Sequence, residues 1–232
     1  MATIAANIEH QHARIAAACA AAQRPVQSVT LLVVSKTFAA EAVRQAFAAG
    51  ERRFGENYVQ EGLDKIAELA ELRSAIEWHL IGPLQSNKTR SVAEQFDWVH
   101  SVDRLKIAQR LSEQRPAELP PLNICLQVNI SGEASKSGLL PAEVAALAHA
   151  VTALPRLRLR GLMALPEPAA EVAAQRVPHR ALALLQQDLS AQGLALDTLS
   201  IGMSADLEAA IAEGATLVRV GSAIFGERPA HD

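Results

Sequence analysis

The chain has 232 residues, 50% of them hydrophobic but only 3% aromatic, so a large core must be built mainly from Ala, Leu, Val and Ile. A formal charge of -3 and a pI near 6.2 give no general electrostatic ground for binding nucleic acid or an anionic membrane. Cys19 and Cys125 lie far apart without C-x-x-C or zinc-ligand spacing, and Glu9, His10, His12 and Arg14 break up any secretory h-region, which indicates a reduced, cytoplasmic protein; no stretch approaches the roughly 20 apolar residues that a membrane span needs.

Ile4, Ile8 and Ile15, extended by Ala18 and Ala22, place an amphipathic helix over 2–23 that must pack outside whatever follows. Leu31 to Val34 is an apolar, partly β-branched run, the pattern of a strand buried on both faces, and it breaks off in Ser35-Lys36-Thr37. Residues 39–49 are helical and end at Gly50. A very short strand, Arg53-Phe54-Gly55, leads to Glu56-Asn57 and a helix over 58–72. A strand over 76–80 is followed by the loop beginning Ile81-Gly82-Pro83 and a short helix. Residues 96–100 form the fourth strand, with Ser101 as N-cap of a helix over 102–114, and 122–130 the fifth. After the polar loop 131–138, Pro141 opens a helix reaching about Leu154. Strands over 157–163, 196–201 and 216–220 alternate with helices over 171–192 and 205–212. Eight strands alternating with helices predict a single-domain (β/α)8 barrel, with an open doubly wound sheet as the alternative. The helix over 2–23 would fill the outer ring, since only ten residues follow Ser222.

The unusual polar residues fall at the C-terminal ends of these strands, the face that carries active sites in such barrels. They include Lys36, Glu56, Asn57, His79, His100, Asn129, Ser200, Arg219 and Ser222, with Met163 at the same level. A lysine ending a buried strand is desolvated, which lowers its pKa and suits it to imine chemistry; alternatively it reaches to the surface. Arg219 interrupts an apolar strand and needs a partner. That partner is either a buried carboxylate, Glu56 or Glu77, or the ring nitrogen of a bound pyridine. The loops Ser200-Ile201-Gly202-Met203-Ser204 and Gly221-Ser222 are glycine-containing and hydroxyl-bearing, as phosphate sites after strands seven and eight of barrels are. Ser204 could equally cap its helix, and Asp206 weakens that helix end as an anion site.

Seven blocks resemble the signatures of one family. They are Val33-Val34-Ser35-Lys36-Thr37, Phe54-Gly55-Glu56-Asn57-Tyr58, Trp78-His79-Leu80-Ile81-Gly82-Pro83, Val128-Asn129-Ile130 with Ser135-Lys136-Ser137-Gly138, Arg160-Gly161-Leu162-Met163-Ala164, Ser200-Ile201-Gly202-Met203-Ser204-Ala205-Asp206 and Val218-Arg219-Val220-Gly221-Ser222. In order and over nearly the whole chain, they are similar to the pyridoxal 5′-phosphate (PLP) homeostasis proteins of YggS/PROSC type. The resemblance implies an alanine racemase N-terminal-domain barrel that holds PLP as a Schiff base on Lys36. It places the phosphate at Ser200, Gly221 and Ser222, the ring nitrogen against Arg219, and Asn57 and Met163 along the ring; His79 and Met203 complete the expected cofactor set. Lys136 would be a solvated loop lysine or a secondary PLP acceptor. Ile201 and Ser222 stand where Met and Thr are usual, and 166–185 is atypical.

Arginine cannot give a proton to the ring nitrogen at neutral pH, so the ring would be a weak electron sink. Two-base racemisation would need a second acid/base, and Tyr58 is the chain's single tyrosine. The expected function is therefore a cytoplasmic PLP carrier that holds and releases cofactor; the resemblance further implies a monomer, with PLP-dependent apo-enzymes as recipients. A PLP-dependent amino-acid racemase is the alternative, and a phosphosugar-binding barrel would leave Lys36 and Arg219 unexplained.

Overall fold

The computed structural model describes residues 3–132 and 137–226; Lys136 lies outside the described residues. Eight parallel strands close into a barrel in chain order. They are β1 (Thr30–Val34), β2 (Arg53–Glu56), β3 (Glu77–Leu80), β4 (Trp98–Val102), β5 (Leu122–Gln127), β6 (Leu157–Met163), β7 (Thr198–Ser200) and β8 (Leu217–Val220). Closure runs through β1 and β8, where Leu31 pairs with Val218 and Leu32 with Arg219. The sheet is therefore a barrel, as the alternation of strands and helices predicts, and not an open sheet.

Helices α1 (Ile4–Ala21), α2 (Ala40–Ala48), α3 (Val59–Glu68), α4 (Thr89–Gln95), α5 (Leu105–Gln114), α6 (Pro141–Thr152), α7 (Val172–Ala191), α8 (Leu207–Ala212) and α9 (Ser222–Phe225) surround it. The Thr3 hydroxyl accepts the Ala6 N–H at 3.2 Å and so starts α1. This helix buries Ile8, Ile15 and Cys19 and contacts α8, α9 and α2, filling the outer ring as expected. Ser101 does not cap α5. It lies inside β4, where its hydroxyl donates to the Gly82 carbonyl at 2.6 Å, and the helix starts at Leu105. Most of the atypical 166–185 segment lies in α7, which continues through Pro178 and buries His179, Leu182 and Leu189. Among the described residues no helix is long and apolar enough to cross a membrane.

Strand residues alternate between the helix-facing layer and the barrel interior. The outer core holds the fully buried Phe54, Trp78, Leu80, Phe96, Ile124 and Leu126. The interior is divided. Trp98, Cys125 and Met163 form a small apolar cluster of their own, and burial there pushes the Cys125 thiol up to about 12. Beside them run His79, His100, Ser200 and Arg219, all buried.

One glycine joins this frame to the barrel's C-terminal mouth. A Cβ on Gly82, just after β3, would fall 2.0 Å from the Asn57 carbonyl oxygen, which the protein cannot move without shifting the loop after β2. Gly82→Ala is expected to destabilise the protein by roughly 1–3 kcal/mol, the usual cost of forcing extra volume into a packed site. Equilibrium urea unfolding should show a lower midpoint at unchanged slope; an unchanged midpoint would contradict this packing.

Candidate functional site

The strand ends converge on a cavity of about 470 Å³ at the C-terminal mouth of the barrel. Its walls include Lys36, Asn57, Met203, Ser204, Arg219, Gly221 and Ser222, with Phe38, Ile81 and Leu165 as apolar lining. A volume of this order suits a small cofactor.

Lys36 enters from the segment after β1 and is half-buried. Both of its neighbours are clamped. The Ser35 hydroxyl donates to Glu56 Oε1 at 2.6 Å, and the Ser35 carbonyl accepts from Lys65 Nζ at 2.6 Å. Lys65 Nζ also donates to Glu56 Oε1 at 2.8 Å and Glu61 Oε1 at 2.7 Å, so its three donors are all used. The same Glu61 oxygen accepts the Thr37 backbone N–H. Thr37 sits at φ 68°, a left-handed conformation that a β-branched residue adopts only when its surroundings impose it. The ion-pair cluster therefore fixes the backbone on either side of Lys36.

Arg219 reaches the cavity from β8. It is 3% exposed and donates from Nη1 to the Ser200 carbonyl at 2.5 Å and the Ser200 hydroxyl at 2.7 Å, and from Nη2 to the Ala164 carbonyl at 2.8 Å. Burial lowers its pKa to about 10, so it stays a cation at neutral pH. These three hydrogen bonds leave two of the five guanidinium donors for the cavity. Neither carboxylate considered from the sequence pairs with Arg219: Glu56 binds Lys65, and Glu77 binds Arg53 and His79.

The loop after β7 forms another wall. Asp206 Oδ1 accepts the Met203 N–H at 2.7 Å and Oδ2 meets His179 Nε2 at 2.9 Å. Burial opposes ionisation of Asp206, but these two bonds hold its carboxyl below the usual range. The acidic group is thus spent on shaping the turn and tying it to α7. Asn57 contributes a buried Oδ1 with no protein partner, an acceptor left for whatever fills the cavity.

Of the residues expected from sequence, Lys36, Asn57, Met203, Arg219, Gly221 and Ser222 are brought together here. Ser200, His79 and Met163 are not in the lining. Ser200 is buried beneath Arg219, Met163 packs with Trp98 and Cys125, and His79 lies deeper, stacked on Trp98 at 5.2 Å. Ser204, weighed as a helix cap, lines the cavity, and α8 begins only at Leu207. The Glu61–Lys65 pair is visible in sequence as an i, i+4 pair on α3, but nothing in the sequence directs Lys65 inward.

The alanine racemase N-terminal domain family matches residues 6–229. The chain is 66% identical to the pyridoxal phosphate homeostasis protein of Pseudomonas aeruginosa, over 98% of this chain and 97% of that protein. It is 56% identical to the protein of the same name from Escherichia coli K12, over 97% of each. The structure of PipY from Synechococcus elongatus with PLP bound is 40% identical, covers 91% of this chain and 100% of that one, and superposes with a TM-score of 0.79.

The clamp at Lys36 makes a prediction about pH. Burial pushes the Glu56 carboxyl up to about 7 from an ordinary 4.5, against the opposing pull of Lys65 and Ser35. Between those values the folded protein holds a proton that the unfolded chain has released. The stability this confers is complete below about 4.5 and is lost as pH rises through about 7. Melting temperatures across that window should therefore fall more steeply in the parent than in Glu56→Gln. A constant offset between the two curves would contradict the assignment.

Proposed function

The chain belongs to the alanine racemase N-terminal-domain family and, within it, to the pyridoxal phosphate homeostasis proteins, and on that basis we propose that it holds and releases PLP through Lys36. The observation that carries the reading is that one cavity is lined by Lys36, by the Gly221-Ser222 segment and by Arg219, whose three described hydrogen bonds leave two of its donors over. The donor set fits the cofactor. Lys36 offers an amine to its aldehyde, Arg219 offers N–H donors to its ring nitrogen, and the unpartnered Asn57 Oδ1 offers an acceptor. Ser204, Ser222 and the Gly221 backbone supply hydroxyl and N–H donors for its phosphate. We assign Ser200, His79 and Met163 to the support of this set rather than to direct contact.

PLP, when bound, supplies an aldehyde and an electron-withdrawing ring. The chain's own groups favour retention over turnover. The Arg219 guanidinium cannot protonate the ring, and among the described lining residues the titratable side chains are Lys36 and Arg219, with no second acid or base opposite the lysine. Tyr58, which is 59% exposed, is not part of the lining. The further proposal is that the protein acts as a cytoplasmic monomer that passes PLP to apo-enzymes.

Borohydride treatment of the PLP-loaded protein should fix the cofactor to the peptide containing Lys36. Recovery of the adduct on other lysines alone would overturn this assignment. Incubation with L-alanine should leave the product free of the D-enantiomer, and racemisation at an enzyme's rate would restore the alternative.

The phosphate assignment is tested by comparing vitamers. PLP should raise the melting temperature well beyond the effect of pyridoxal at equal concentration, because only PLP engages the Ser204 and Gly221-Ser222 walls. Ser222→Ala should narrow the gap. Equal shifts from the two vitamers would remove the phosphate from this end of the cavity.

A further inference from the structure

A row of buried hydrogen bonds crosses the barrel from Arg219 to the opposite mouth. The Ser200 hydroxyl, which accepts from Arg219, lies 2.9 Å from His100 Nδ1; His100 Nε2 lies 2.9 Å from His79 Nδ1; and His79 Nε2 lies 2.9 Å from Glu77 Oε1. Ser200, His79 and His100 are fully buried. Glu77 is at the start of β3, on the wall of a separate polar cavity at the N-terminal mouth, where Arg53 Nε meets it at 3.2 Å.

The charge states of its members assign a direction to each proton in this row. Burial lowers both histidines below the usual imidazole range, and the His79 hydrogen bond, with Trp98 and Arg53 nearby, holds Glu77 ionised against the cost of its own burial. A carboxylate can only accept, so His79 donates from Nε2 and must accept at Nδ1. His100 then donates from Nε2 and accepts at Nδ1, which obliges the Ser200 hydroxyl to donate to His100. Its lone pairs are left facing Arg219. Reversing the row would put two donors, His100 and Arg219, on the Ser200 oxygen and leave its own proton without an acceptor among the described residues.

We propose that Glu77, His79, His100 and Ser200 are a polarised positioning relay that holds Arg219 with its remaining donors toward the cavity, so that a carboxylate at one mouth of the barrel sets how firmly the pyridine ring is retained at the other. None of the first three lines the cofactor cavity, and each acts through Ser200. The inference rests on the reading that Arg219 meets the ring nitrogen of bound PLP.

The test measures cofactor release from the loaded protein, with excess PLP-dependent apo-enzyme as the trap, for PLP and for an analogue whose ring nitrogen is replaced by C–H. Glu77→Leu, His100→Leu and the volume-sparing Ser200→Ala should each release PLP faster, by about tenfold, the scale of one weakened hydrogen bond to a charged group. Release of the analogue should match the parent's, because its ring has nothing for Arg219 to bind. Arg53→Ala, which removes the other partner of Glu77, should release both ligands as the parent does. If the relay variants lose both ligands equally, the row is a scaffold and the proposal fails. If they release PLP like the parent while Arg219→Ala releases it faster, Arg219 needs no relay and the proposal fails alone. If Arg219→Ala also releases PLP like the parent, the ring-nitrogen reading itself falls. Should a leucine variant not fold, Ser200→Ala carries the same comparison.

Discussion

The architecture turns on a buried cation whose described hydrogen bonds all go to neutral acceptors, with the Asp206 carboxylate acting on it only at longer range. Arg219 is 3% exposed, and its described hydrogen bonds go to two carbonyls and a hydroxyl. An unpaired buried charge would be costly, and pairing it with a carboxylate would consume the donors that a ligand needs. Neutral acceptors solve both problems. They stabilise the guanidinium while leaving part of its donor set unclaimed, and they keep the charge directed at the cavity. The polar half of the barrel interior follows from this, since the Ser200 hydroxyl that accepts from Arg219 has its own proton to place, and His100 takes it.

Lys65 is treated in the opposite way. It is also buried, but its ammonium is surrounded by Glu56, Glu61 and the Ser35 carbonyl, so no donor remains for a ligand. What the cluster provides is rigidity beside Lys36, including the left-handed turn at Thr37. The two cations divide the work: one is left partly unsatisfied to meet a ligand, the other is saturated to hold backbone. In the proposed arrangement Lys36 and Arg219 must keep a fixed relation; Lys36 follows β1 and Arg219 lies in β8, adjacent strands whose register is set along Thr30 to Val33.

The barrel was legible because strand and helix periods alternate without ambiguity along the chain, and because α1 had no other place to bury Ile8 and Ile15. The cavity was legible through its outliers: Lys36, Asn57 and Arg219 each interrupt an apolar context at a strand end. The partner of Arg219 was not. Sequence offered Glu56 and Glu77, yet a period of two decides against the first: Gly55 faces the interior, where a Cβ would meet Leu32 at 3.2 Å, so Glu56 turns outward to α3. Glu77 does face inward but at the opposite mouth, two residues below His79, and reaches Arg219 only through other side chains. The depth of His79 and Ser200 within the barrel depends on strand stagger, which no short window of sequence contains. Ser101 misled for a related reason. A serine before a helical pattern reads as a cap, but the tertiary contact with Gly82 keeps it in the strand.

The central claim is that Arg219, tied to Ala164 and Ser200, meets an unprotonated pyridine ring. Nitrogen NMR of the protein loaded with PLP labelled at the ring nitrogen tests it most directly. The account predicts the resonance of a neutral pyridine that accepts a hydrogen bond, unchanged across the pH range in which the protein is folded and moved by Arg219→Ala. A pyridinium resonance, or one indifferent to Arg219→Ala, would contradict it.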